Sequence, residues 1–193
     1  LYWTDQRILV VADVHLGKVG HFRKAGIAIP RSLEQEDLSM LSDIIHLYRP
    51  EKIIFLGDLF HSELNNDWDW LVMWRDLFKE VEMILVKGNH DIIADKYYLD
   101  CGFTLHDTYQ LGSFLFIHEP LPLKKIKDED RYIISGHIHP GVKLRGLGRQ
   151  FLTLPCFHFG RKQAILPAFG KFTGKVCMKC DESDRIFGVL KDS

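Results

Sequence analysis

Five short apolar, β-branched runs recur through this chain: Ile8 to Ala12, Lys52 to Leu56, Val81 to Val86, Ser113 to Ile117 and Arg131 to Ile134. Each has the length of a strand. Each gives way at once to a polar cluster: Asp13-Val14-His15, Gly57-Asp58, Gly88-Asn89-His90-Asp91, His118-Glu119 and Gly136-His137-Ile138-His139. Open α/β sheets bind ligands just beyond the carboxyl ends of their strands. The pattern therefore predicts one sheet rim on which five polar clusters meet. The ten histidines of the 193 residues gain their meaning from this placement.

Two helices are expected between the strands. Leu33 to Tyr48 carries an apolar stripe, with Ser32 as N-cap and Pro50 beyond its end; Asp67 to Lys79 does the same after Asn66. The tryptophans of the second helix read as packing residues. From Phe103 onward short apolar runs alternate with Gly, Pro and charged turns, a β-rich half without an evident helix. Two sheets packed face to face, with helices outside, follow from this order. One domain over residues 1–193 is expected. A hydrophobic share of 46% and a charged share of 26% exclude disorder, collagen and simple coiled coil. A net charge of -1 excludes a globally basic coat but not a local basic stripe. No apolar run reaches the roughly 18 residues of a spanning helix, and Leu1 to Arg7 lacks a secretory pattern. The expectation is a soluble, cytoplasmic protein. Of the four cysteines, Cys177 and Cys180 form a lone C-x-x-C, read as strand thiols rather than a zinc or redox site.

The candidate ligands are Asp13, His15, Asp58, Asn89, His118, His137 and His139. All offer oxygen or imidazole nitrogen, a set suited to Mn, Fe or Zn rather than to a thiolate site. Asp13 and His15, like His137 and His139, are two apart, which in extended backbone puts both side chains on one side. Seven donors exceed the needs of one open catalytic metal and suit two cations sharing one carboxylate. Such a pair clamps the attacking and leaving oxygens of a phosphoryl displacement. Gly57, Gly88 and Gly136 each precede a ligand, where a missing Cβ lets backbone approach closely.

The order D-x-H, G-D-x-x-H, G-N-H-D, H, G-H-x-H resembles the calcineurin-like metallophosphoesterases, and the match runs from Asp13 to His139. The resemblance implies a four-layer α/β/β/α sandwich of two mixed sheets with a dimetal site at the rim. It implies that Asp13, His15, Asp58 and His139 hold one metal, and Asp58, Asn89, His118 and His137 the other. It makes His90 the acid facing the phosphate and Asp91 the hydrogen-bond partner that orients it. Outside these motifs, Asp13-Val-His-Leu-Gly-Lys18, His21-Phe-Arg-Lys-Ala-Gly-Ile-Ala-Ile-Pro30, Gly57-Asp-Leu-Phe-His-Ser62, His118-Glu-Pro120, Leu154-Pro-Cys-Phe157 and Leu166-Pro-Ala-Phe-Gly170 are similar to the bacterial ligase-associated DNA damage response endonuclease family. That resemblance implies a nuclease or phosphodiesterase with two divalent ions, Mn first and Fe or Zn as alternatives, working beside a repair ligase and helicase.

His61, three residues after Asp58, is a further catalytic candidate, within reach of a substrate phosphate. Lys18, His21, Arg23 and Lys24 follow the first metal motif and are the candidate phosphate contacts. Lys143, Arg145 and Arg149 follow His139, while Lys124, Lys125 and Lys127 read as an ordinary solvated loop. The function expected is hydrolysis of phosphodiesters, with nucleic acid or a nucleotide diester as substrate. The alternatives are a phosphomonoesterase or protein phosphatase, and a non-catalytic metal-bearing scaffold for a repair partner.

Overall fold

The computed structural model describes residues 1–24, 26, 35–61, 63–65, 67–127 and 131–190, the side chains of His21 and Lys24 excepted. Thirteen strands form two sheets among these residues. The first holds β1 (Tyr2–Trp3), β2 (Ile8–Val11), β3 (Lys52–Leu56), β4 (Glu82–Val86) and β5 (Phe103–His106) in that spatial order. β2 to β5 run parallel and β1 antiparallel. The second holds β6 (Tyr109–Leu111), β7 (Phe114–Phe116), β8 (Tyr132–Ser135), β9 (Pro140–Arg145), β10 (Phe151–Phe159), β11 (Gln163–Ile165) and β12 (Val176–Cys177), ordered β12-β9-β10-β11-β8-β7-β6. β13 (Arg185–Gly188) adds to β10. This sheet is mixed: β7, β8 and β11 are parallel, and the β9–β10 pair is antiparallel.

A parallel sheet covered on both faces needs continuous apolar strands, and the alternation within them sorts the two cores. Leu9, Val11, Ile53, Phe55, Met83 and Leu85 pack under the helices. Ile8, Val10, Ile54, Leu56, Ile84 and Val86 face the second sheet and meet Phe116, Ile134 and Leu166. The helices are α1 (Lys18–Lys24), α2 (Glu36–Tyr48), α3 (Asp67–Leu77) and α4 (Asp95–Asp100). α2 contributes Leu38, Leu41 and Ile45 to the helix-side core, α3 Trp68, Leu71 and Trp74, and α4 Tyr98.

The two mixed sheets of the expected α/β fold are present, with three differences of detail. All described α-helices precede β5, and among the described residues the helical cover of the second sheet is a 3-10 turn, Leu123–Lys125, with Ile126 packed on Ile117 and Ile133. The helices are shorter than their apolar stripes suggest. α2 starts at Glu36, and the expected cap Ser32 lies outside the described residues, as does Asn66. Asn65 does the capping before α3, its Oδ1 accepting from Asp67 N at 2.8 Å. α4 was not legible in its sequence, because six residues carry too little periodicity to signal a helix. Trp68 and Trp74 pack as expected, Trp68 edge-on to Phe60 and Tyr98. His158, 8% exposed in β10, is a structural histidine whose Nε2 lies 3.0 Å from Asp184 and ties β10 to the turn before β13. No described helix is long and apolar enough to cross a membrane.

Candidate metal centre

β2, β3, β4, β7 and β8 all deliver their carboxyl ends to one rim. Beyond β2 and β3 the backbones stay together: His15 N donates to Asp58 O at 2.8 Å and Leu16 N to Leu59 O at 2.9 Å. Across the sheets, Gly136 N donates to His118 O at 3.0 Å. Three glycines make this convergence possible. A Cβ on Gly57 would collide with His118 Nδ1, one on Gly88 with Asp58 Oδ1, and one on Gly136 would lie 2.5 Å from Asp13 Oδ2.

The local backbone differs from the extended conformation expected for Asp13-x-His15 and His137-x-His139. All four residues sit in the left-handed region, at φ 53°, 53°, 69° and 52°, and Asp58 joins them at 50°. A left-handed residue turns the chain back on itself, so each pair converges by folding rather than by strand alternation. Only two other described non-glycine residues have positive φ, Arg7 and Arg49, and both end helices.

Two groups of donors result. Asp13, His15 and His139 form one, and Asp58, His118 and His137 the other, with ligand atoms within 4.8 Å of one another in each. Asp58 faces both: Oδ2 lies 3.8 Å from His15 Nε2 and Oδ1 lies 3.4 Å from His118 Nε2. Asn89 Oδ1 completes the second group, 3.0 Å from His118 Nε2.

The chemistry of these donors fits divalent cations. His118 Nδ1 lies 2.9 Å from the carbonyl of Leu56, which only accepts, so the ring proton is on Nδ1. Nε2 then turns a lone pair into a hollow shared with Asn89 Oδ1, Asp58 Oδ1 and His137 Nδ1 at 3.1 Å. Asp13 Oδ1 is buried without any hydrogen-bond donor. A fixed carboxylate oxygen and converging lone pairs are what a metal satisfies and what an uncharged interior would not tolerate. His15 is equally prepared: burial, then Lys18 and the neighbouring histidines, lower its pKa to about 2, keeping the ring in its neutral, ligating form.

The catalytic candidates take separate places. His90 is half-buried, stacked on His61 with centroids 4.9 Å apart, and edge-on to His15. His61 Nδ1 lies 3.3 Å from His15 Nδ1, so it holds the far side of a ligand ring, while His15 Nε2 points to His139 Nε2 at 3.4 Å. Asp91 differs from its expected role. Its carboxylate does not bond His90; Oδ1 accepts from Leu59 N, Phe60 N and the Tyr98 hydroxyl, and Oδ2 from Gly88 N, at 2.9–3.3 Å. Burial pushes its pKa up to about 6 against those donors. Asp91 is a buried clamp between the loops that carry Asp58 and His90, and no local sequence signal marks its partner Tyr98.

Of the phosphate-contact candidates, Lys18 opens α1 beside His15. Burial lowers its pKa, and the Asp58 carboxylate opposes the shift. Arg23 is half-buried on α1. The side chains of His21 and Lys24 lie outside the described residues. A shallow hollow open to solvent lies between His15, Lys18, Asp37 and Asp67. No thiol joins a metal-binding group among the described residues.

The calcineurin-like phosphoesterase family model matches residues 6–167, from before β2 to just past β11. The chain belongs to the calcineurin-like phosphoesterase family. Among solved structures it is similar to the nuclease MPE of Pseudomonas putida, with 30% identity and a TM-score of 0.80, covering 97% of this chain and 86% of that one. More distant is the E. coli phosphoesterase Yfce, at 14% identity and a TM-score of 0.46 over 86% of this chain and 83% of that one. No match to the sequence is found among the curated proteins. As a member of this family the chain is a metal-dependent phosphoesterase, a hydrolase of phosphoester bonds.

Proposed function

We propose that this phosphoesterase cleaves phosphodiesters of nucleic acid or nucleotides with two divalent cations, Mn in preference to Fe or Zn, and that residues 1–193 act as one unit. The observation that carries this reading is Asp58, whose two oxygens face two separate donor groups. The likeness to a nuclease over 97% of the chain supports the diester. One group of ligands is Asp13, His15, Asp58 and His139; the other is Asp58, Asn89, His118 and His137. Cations held there would supply Lewis-acid activation of water and neutralise charge on phosphorus oxygens.

The chain's own residues do the rest. Water oxygen bonds to phosphorus, the P–O ester bond opposite it breaks, and His90 gives a proton to the departing oxygen while the water's proton leaves to solvent. His61 holds the His15 and His90 rings in place. Asp91 positions the loop that presents His90. Lys18 meets the anionic substrate beside His15. The resemblance of the motifs supports a setting in DNA repair, in the cytoplasm, beside a ligase and a helicase.

The test is turnover of bis-p-nitrophenyl phosphate, the corresponding monoester and an oligonucleotide with Mn, Fe and Zn in turn. Diester and oligonucleotide hydrolysis, strongest with Mn and lost by at least about 100-fold in Asp58→Asn, is expected. Parental rates in Asp58→Asn, or hydrolysis of the monoester alone, would overturn the reading.

A further inference from the structure

Between residues 131 and 180 the chain carries nine Lys and Arg and no Asp or Glu, although the whole molecule has a net charge of -1. The centre of this segment is an arm. β9 begins at Pro140, directly after the ligand His139, and runs in the same direction as β8 and β11, since both β9 and β11 are antiparallel to β10. β10 pairs with β11 only at His158 and Phe159, and its first half, Phe151 to Pro155, pairs with β9. The β9–β10 hairpin therefore continues past the rim on which the metal ligands lie.

The two faces of the arm differ. Register places Lys143 opposite Thr153 and Arg145 opposite Phe151 on one face, with Leu144 opposite Leu152 on the other. The first face is the one that, farther along β10, carries Phe157 onto the core between the sheets, so it continues the side on which the site lies. On it, Lys143 Nζ sits 4.0 Å from the centre of the Phe151 ring, and Phe151 as a residue is 65% exposed. Arg149 lies in the exposed turn. None of Lys143, Arg145 and Arg149 has an acidic partner among the described residues. At the root of the arm, Lys175 shares a small hollow with His139, Pro140 and Thr173.

An exposed aromatic ring among unpaired cations is the arrangement that holds a nucleic-acid strand: the ring takes a base face and the cations take phosphates. Resting on the phosphodiesterase reading above, we propose that the β9–β10 arm grips the strand that flanks the scissile phosphate. Phe151 stacks on a base, and Lys143, Arg145 and Arg149 neutralise successive phosphates leading away from His139. From His139 to Arg145 the strand spans about 20 Å at roughly 3.3 Å per residue, which is about six stacked nucleotides at 3.4 Å each.

The experiment compares the parent chain with Phe151→Ala, Phe151→Trp and the triple variant Lys143→Ala/Arg145→Ala/Arg149→Ala. These side chains are exposed, and unchanged thermal melts verify folding. Two readouts are taken: oligonucleotide binding over a salt series in the presence of a chelator, and Mn-dependent kcat/KM on oligonucleotides of increasing length and on bis-p-nitrophenyl phosphate. Phe151→Ala should weaken binding by about 5- to 150-fold, the range for loss of one base stack, and Phe151→Trp should restore it. The triple variant should flatten the salt slope by about 2, at roughly 0.7 per phosphate contact on a single strand. The gain from lengthening the substrate should stop near six nucleotides on one side. The small diester is too short to reach the arm and reports the metal centre alone. Parental oligonucleotide binding and cleavage in all variants would overturn the arm while leaving the phosphodiesterase reading intact. A parent chain inactive on the diester would overturn that reading, with chelated binding still reporting on the arm.

Discussion

Replacing Gly57 with alanine separates two costs that the structure assigns to the rim. Gly57 has φ +74°, and a left-handed alanine costs about 1–2 kcal/mol wherever it occurs. An added Cβ would also collide with His118 Nδ1 and lie 2.8 Å from Gly88 Cα, which is backbone and cannot swing aside. Overpacking of that kind costs about 1–3 kcal/mol. Displacing His118 from the Leu56 carbonyl orphans a buried acceptor for about 1–3 kcal/mol more. Gly57→Ala should thus lose about 3–8 kcal/mol. Gly112→Ala is the control: φ is +57°, but nothing lies within 4 Å of its added Cβ, so about 1–2 kcal/mol is expected. Urea unfolding with and without Mn measures both. Gly57→Ala should also lose a large part of the stabilisation that Mn gives, because His118 serves one of the two donor groups, while Gly112→Ala keeps all of it. Equal losses in the two variants, or a parental Mn response in Gly57→Ala, would refute the close approach as the reason for that glycine.

Other consequences are simpler to measure. Tyr98→Phe removes one of the four donors on the buried Asp91 carboxylate without changing shape. It should cost about 1–2 kcal/mol by thermal melt, and that loss should persist unchanged in a His90→Ala background, since the Asp91 carboxylate makes no bond to the His90 side chain. Removing divalent ions with a chelator should lower the melting temperature, and Mn at 100 times its Kd should restore about 2.7 kcal/mol. Burial, with Cys180 and Cys177 adding, pushes the Cys156 thiol up to about 11. A thiol reagent at neutral pH should modify exposed Cys177 and Cys180 at once and Cys156 only on unfolding. The unfolded chain gives up this proton near pH 9 and the folded chain near pH 11, so the unfolded state binds fewer protons in between. Stability should therefore fall as pH rises from 9 to 11, and a Cys156→Ser variant should lack that component.

The site was more legible in the sequence than the fold around it. Strand-length apolar runs ending in Asp, Asn or His mark chain segments whose side chains must leave the core together, and that signal is local. Asp13, His15, Asp58, Asn89, His118, His137 and His139 all meet at the rim for this reason. What the spacing could not reveal was how they meet. Two-residue spacing suits extended backbone, yet the pairs use left-handed turns, because the parallel strands end before the ligands begin. The role of Asp91 depended on Tyr98, Leu59 and Phe60, contacts made through tertiary packing that no local pattern encodes. The arm was hidden for a similar reason. Lys143 and Phe151 become neighbours only once the register of β9 on β10 is set.

The backbone at the rim carries an energetic argument of its own. Asp and His are among the side chains that tolerate left-handed φ best, though each such residue still costs on the order of 1–3 kcal/mol. Five of them at one rim sum to roughly 5 kcal/mol or more, a sum comparable with the net stability of an ordinary domain. The close approach of His15 Nε2 to His139 Nε2, 3.4 Å, and the donorless oxygen of Asp13 add to that load. A core could shed all of it by substituting apolar residues and relaxing the turns. The rim keeps its strained geometry because the paired loop backbones and the Asp91 clamp hold it against the two sheets, and a cation held at each donor group would offset the crowded lone pairs while leaving the turns in place. Strain of this kind, gathered at the candidate ligands and found among the other described non-glycine residues only at two helix ends, supports a metal-binding role for the rim on grounds separate from any likeness to other proteins.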